Sequence, residues 1–168
     1  VLALSPVYLD ERFQAERSPQ AFDLLTGLAR RAVEVAGSPD AGIWEYRNDW
    51  KPQTFSTLMC WAGADRMARV AKIHSPGLVP EFEEAAASIS ALIVKEAWSD
   101  RLDAFASSHG GHDLDASLLQ MATLRLLGPD SARIVRTVDA IKDGLSDEGW
   151  LYRYRSQDDF GRPEKAFV

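Results

Sequence analysis

Apolar residues recur every three or four positions over most of the chain, the period of one face of an α-helix. The first such stretch follows Ser18 and Pro19, which suit an N-cap and a first helical position. Phe22, Leu25, Leu28, Ala29, Ala32 and Val33 form its stripe, and Gly37 closes it. A second helix is predicted from Thr54 to Ile73, with Leu58, Trp61, Ala62 and Met67 among its apolar members, and "HSPG" at 74–77 breaks it. Pro80 opens a third. Glu81, Glu83 and Glu84 lie in its first turn, where carboxylates favour the positive end of the helix dipole, and its stripe is Phe82, Ala86, Ile89, Leu92 and Ile93. A fourth helix is predicted over Asp113–Leu127, stopped by "GPD", and a fifth from Ser131, carrying Ile134, Val135, Val138 and Ile141. Such a pattern predicts an all-α fold built from antiparallel helix hairpins.

Two segments break the helical pattern. "GSPDAGIWEYRNDWKPQ" (37–53) is too long and too aromatic for a plain connector, and "GWLYRYRSQDDFGRPEKAFV" (149–168) has the same character. Within the latter, "WLYRYR" alternates like a short strand before a polar loop. Long loops with their own aromatics are where sites sit on helical scaffolds. Successive hairpins return to the same side, so both loops are expected at one end of the bundle.

The 168 residues suffice for one compact domain, expected to span 1–168. With 46% hydrophobic and 26% charged residues the composition is that of a globular protein. A net charge of −6 disfavours nucleic acid and anionic membrane as partners. No apolar run reaches the ~20 residues that span a bilayer. The N-terminal stretch lacks a basic region, and Cys60 is the single cysteine, in apolar company, so a reducing, cytoplasmic setting is expected. Phosphate-binding glycine loops and a G-x-S-x-G elbow are absent, and no cofactor is implied.

Glu45 directly follows an indole in "GIWEYR" (42–47), with Tyr46 and Trp50 near it. Flat apolar rings bind the C–H faces of sugars, and by lowering the local dielectric they raise a carboxyl pKa, the combination a glycosidic general acid needs. The same residue read as a rim carboxylate pairs with Arg47. Glu164 stands between Arg162 and Lys165, cations that would hold it ionised as a general base requires; the alternative is a solvated charge cluster. In "SSHGGHDLDASLL" (107–119), His109, His112, Asp113 and Asp115 are of types that bind metals. The glycines make the segment loose, though, and no second ligand cluster stands out, so no metal is expected. Asp115 suits a helix N-terminus, as a cap or facing a site.

Several of these stretches together resemble the family 15 glycoside hydrolases, the glucoamylase and trehalase family. "SPDAGIWEYR" (38–47) is similar to the family's "PDAGIWEvR", "FSTLMCWAGADR" (55–66) to "ySKvMCWvAlDR", and "DLDASLL" (113–119) to "LDASLL". "WLYRYR" (150–155) is similar to "LLYRY" and "GRPEKAFV" (161–168) to "GgEGAF", all in family order. The resemblance implies an (α/α)₆ barrel, or toroid, of which these residues would be a part, and inverting hydrolysis of α-glucosidic bonds. It implies Glu45 as general acid and Glu164 as general base, some ~6.5–9.5 Å apart to admit a water. By the same resemblance Trp44, Arg47, Trp61, Asp115, Tyr152 and Arg153 would contact a small α-glucoside or oligosaccharide. Thr57 stands where the family usually has lysine and Lys165 where it has glycine, while His112 and Asp113 replace the usual residues before "LDAS". A barrel of twelve helices needs a longer chain. Two further expectations follow. A homodimer, by docking or by exchange of hairpins, is expected to cover exposed helix faces, with Trp61, Phe82, Ile89 and Leu92 near the seam or in the shared core; and the alternative to a hydrolase is a non-catalytic helical module that binds sugar or protein.

Overall fold

The computed structural model describes residues 1–47, 50–128, 130–158 and 161–166. Helices dominate: α1 (Ser5–Leu9), α2 (Pro19–Val35), α3 (Thr54–His74), α4 (Val79–Glu96), α5 (Gln120–Leu124) and α6 (Ala132–Leu145). Two-residue strands form three antiparallel pairs, β1 (Pro39–Asp40) with β2 (Lys51–Pro52), β3 (Trp98–Ser99) with β4 (Ala104–Phe105), and β5 (Ser146–Asp147) with β6 (Trp150–Leu151). Among the described residues, no helix is long and apolar enough to cross a membrane.

The chain groups into two compact units. The first comprises Val1–Ala36 and Met59–Ala91. Its longest local signal is read as expected: Ser18 caps α2, its hydroxyl oxygen accepting from Ala21 N at 3.1 Å, and Pro19 starts the helix. The stripe turns Leu25 and Ala29 inward, where they are fully buried with Met67, Val70 and Phe82. A side chain such as Phe82 contributes about 1.5–3 kcal/mol by leaving water. The segment before α2 had no periodicity to betray it, because α1 spans five residues. It is tied down by polar bonds: Tyr8 Oη donates to Ser18 O at 3.0 Å and Arg17 Nε to Val7 O at 2.8 Å. Phe82 and Ile89 are interior residues, as is Trp61 at 6% exposure, the core placement of the two expected for them. The exposed apolar side chains of this unit include Leu24, Leu28 and Ile73.

The second unit comprises Gly37–Leu58 and Leu92–Val168. Helix α6 buries Ile134, Thr137, Ile141 and Leu145, and Thr137 Oγ1 accepts from Phe105 N of β4 at 3.0 Å. The rings of Trp98 and Phe105 pack nearly perpendicular at a centroid distance of 5.3 Å. The fourth predicted helix is much shorter than its apolar pattern. A 3₁₀ turn, Ala116–Leu119, leads into α5, which ends at Arg125 in the left-handed region (φ 60°). Asp115 is the reason for the late start. Its extended backbone (φ −141°, ψ 125°) is that of an N-cap, and its carboxylate accepts from Ser117 N at 2.7 Å. The alternation of "WLYRYR" yields only β6, entered from β5 through Glu148 (φ 48°) and Gly149 (φ 91°), a two-residue turn of the mirror type that hairpins favour.

Candidate active site

The segment 41–46 folds back on itself. Gly42 has φ 66°, and a Cβ there would stand 3.1 Å from Gln53 Cγ, so both conformation and space call for glycine. Tyr46 N donates to Ala41 O at 2.8 Å and Glu45 N to Gly42 O at 3.3 Å. The turn forces Glu45 itself to φ 58°. A non-glycine residue in this region is uncommon and strained, and such strain gathers at functional positions. Glu45 is exposed, which corrects the expectation that the indole beside it would bury the carboxyl. Trp44 instead turns its ring toward another acid.

That acid is Asp115. Trp44 Nε1 donates to Asp115 Oδ2 at 2.8 Å while Ser117 N occupies Oδ1. Asp115 is 4% exposed. Burial pushes its pKa above the ordinary carboxylate range, opposed by the hydrogen bonds from Ser117 and Trp44. The desolvated carboxyl beside the indole thus exists, but at residue 115 rather than 45. Asp115 is enclosed as a strut that fixes the indole and caps the 3₁₀ turn.

The next residue joins the second long loop to the same point: Ala116 N donates to Arg153 O at 2.9 Å. Around this junction Tyr154 packs against both rings that flank Glu45, with centroids 6.0 Å from Trp44 and 5.6 Å from Tyr46. The Arg153 guanidinium lies 5.7 Å from the centre of Trp44 and 5.0 Å from that of Tyr154. Two residues upstream, Tyr152 Oη lies 3.0 Å from the carbonyl oxygen of Glu164 and 3.1 Å from Asp147 Oδ2. The segments bearing Glu45 and Glu164 therefore both contact residues 152–154. Glu164, Arg162 and Lys165 are exposed; Phe167 and Val168, the end of the last motif, lie outside the described residues. Tyr154, absent from the expected site residues, is the ring that joins the loops, and its place in the alternating "YRYR" was the available signal. Burial, then its hydrogen bond to Asp158, pushes its phenol up to about 12. Burial and the nearby Asp115 charge raise that of Tyr46 as well. Both phenols remain neutral donors near neutral pH.

Other expected site residues lie in different settings. Arg47 is exposed at the end of the Glu45 turn, and Trp61 is an interior residue of the first unit. The two histidines go to hydroxyls: His109 Nε2 is 3.2 Å from Thr57 Oγ1 and His112 Nδ1 is 2.9 Å from Ser99 Oγ. Burial lowers the pKa of His109. Among the described residues, no three His, Cys, Asp or Glu side chains come together as a metal site.

Glu45 and Glu164 are thus both exposed on long loops, with Glu45 held in a strained turn beside packed aromatic rings. The family model of glycosyl hydrolases family 15 matches residues 34–167, and the chain belongs to that family. It is similar to the trehalase of Mycobacterium tuberculosis, with 32% identity over 90% of this chain and 22% of the relative. The trehalase of Mycolicibacterium smegmatis gives 30% identity over 92% of this chain and 23% of the relative. The chain thus spans under a quarter of the length of these relatives. Two solved glycosidase structures share its fold. One matches with a TM-score of 0.66 at 17% identity. The other, a glutamate-to-alanine variant in complex with glucose, matches with a TM-score of 0.63 at 18% identity. Each match covers 80% of this chain and 40% of the other.

Proposed function

We propose that these residues carry the acid and the base of an inverting α-glucosidase whose substrate is a small α-glucoside, trehalose first among them. The observation that carries the reading is the joint attachment of the Glu45 and Glu164 segments to Tyr152–Tyr154, within a family 15 sequence whose relatives are trehalases. Glu45 protonates the glycosidic oxygen as the bond to the anomeric carbon breaks. Glu164 takes a proton from the water that attacks that carbon from the opposite face. The sugar itself supplies the desolvation that Glu45 lacks in the free protein, by covering the exposed carboxyl against Trp44. Arg47 and Arg153 complete the expected contacts to substrate.

In this reading the chain belongs to a catalytic domain in the cytoplasm, of the (α/α)₆ toroid kind that the glucoamylase and trehalase family implies. The exposed Leu24, Leu28 and Ile73 are then faces covered in the native protein, by a second copy where a homodimer forms. Glucose release from trehalose and from maltose, by the native chain that carries these residues, tests the proposal. Glu45→Gln and Glu164→Gln should each lose at least about 100-fold in kcat. Unchanged release in both would overturn it. Sugar binding without release, in the unsubstituted protein, would establish the non-catalytic reading.

A further inference from the structure

We propose that Asp40 is the positioning residue that holds the Glu45 turn in its strained conformation. The inference rests on the catalytic reading of Glu45, and the contacts are independent of it. Asp40 is paired with Lys51 in the β1–β2 ladder, at the stem of the loop that carries Trp44 and Glu45. Its carboxylate reaches three parts of the local structure at once. Oδ1 accepts from Gly42 N at 2.6 Å and from the Ser56 hydroxyl, in the first turn of α3, also at 2.6 Å. Oδ2 faces Gln53 N at 3.4 Å.

These bonds act on Glu45 through one intermediate. Gly42, whose N–H is fixed by Asp40, offers its own carbonyl to Glu45 N. Gly42 and Glu45 both have positive φ, so neither half of the turn is the conformation the chain would adopt unaided. An ordinary loop relaxes such strain; it persists where surrounding bonds over-determine the backbone. Ser56 lies in the first turn of a 21-residue helix, so the turn is anchored to the start of regular hydrogen-bonded structure. Trp44 and its bond to Asp115 secure the far side of the same turn.

The role belongs to acceptor geometry and not to charge or proton transfer, and this separates it from a catalytic one. Asparagine keeps an oxygen where Oδ1 stands and so keeps both short bonds; alanine keeps neither. In the native chain, Asp40→Ala should lower kcat for trehalose by about 100-fold, the size of loss a small misplacement of a reacting group produces, with KM little changed. Asp40→Asn should restore most of that loss.

The same variants labelled with 5-fluorotryptophan supply a reading that needs no turnover. The Trp44 fluorine signal, assigned by its loss in Trp44→Phe, should move toward the free-solvent position in Asp40→Ala and stay in place in Asp40→Asn. If Asp40→Ala does not fold, Ser56→Ala, which removes one of the two short bonds, should move the signal in the same direction by less. A Trp44 signal unmoved by the alanine variants, or an asparagine variant as impaired as alanine, would overturn the proposal. A displaced signal in a protein whose unsubstituted form releases no glucose would uphold the positioning and reject the catalytic reading alone.

Discussion

Replacing Trp44 by phenylalanine isolates the bond on which the site's geometry depends. The substitution keeps a flat ring among Tyr154 and Arg153 but removes the N–H that reaches Asp115 Oδ2 at 2.8 Å. Hydrogen bonds to charged groups contribute about 1.5–3 kcal/mol, and Asp115 at 4% exposure has little water to replace the donor, so a loss of about 2 kcal/mol is expected at neutral pH. The loss should depend on pH with a definite sign. Burial raises the pKa of Asp115 in the folded protein. The folded state therefore binds its proton more readily than the unfolded chain. The stability this group contributes is present below the unfolded carboxylate pKa and is lost as pH rises through the folded value. Removing the Trp44 donor takes away one of the bonds that hold the folded pKa down, so the decline in the variant continues to higher pH. The gap between variant and parent should accordingly be small in acid and widen toward neutrality. Urea unfolding at a series of pH values measures it, and in an Asp115→Leu background the effect of Trp44→Phe should shrink, a coupling of about 1–3 kcal/mol. A penalty below ~0.5 kcal/mol, or one that does not change with pH, would refute the reasoning, since surface substitutions alone reach that size.

Gly42→Ala should destabilise the second unit by about 1–2 kcal/mol, because an L-residue must hold φ 66° with its Cβ 3.1 Å from Gln53; an unchanged urea midpoint would contradict this. Thr137→Val strands the Phe105 N–H in a buried position and should cost about 1–3 kcal/mol in the same assay, without altering KM for trehalose. Tyr152→Phe removes the hydroxyl that meets the Glu164 carbonyl, and should speed proteolysis within 156–166 and lower kcat; equal cleavage rates would show that the loop is held by other means.

The long helices were legible because their signals are local and redundant: a cap at Ser18, a proline at 19 and a stripe of six apolar residues all predict α2. The fourth helix is shorter than its apolar spacing predicts because a carboxylate–backbone bond at Asp115 caps it late, and apolar spacing does not register a cap inside the pattern. The two glutamate loops were legible from their length and aromatic content. Their chemistry was less so. The sequence places Glu45 next to an indole, but adjacency along the chain does not decide which way the ring turns. Trp44 faces Asp115, 71 positions away, and the burial expected at Glu45 falls there. Tyr154 and Asp40 are not legible in the sequence for a related reason, since their contacts are with partners that only folding brings together.

The anomeric form of the first glucose released tests the central claim most directly. Proton NMR of the native protein with trehalose, read before mutarotation, distinguishes the outcomes. If Glu164 directs water to the face opposite the departing sugar, which Glu45 protonates, one glucose appears as the β-anomer and the leaving glucose as the α-anomer, in equal amounts. Both signals should vanish in Glu45→Gln and in Glu164→Gln. Release of α-glucose alone, or release that persists in both variants, would contradict the assignment of the two glutamates.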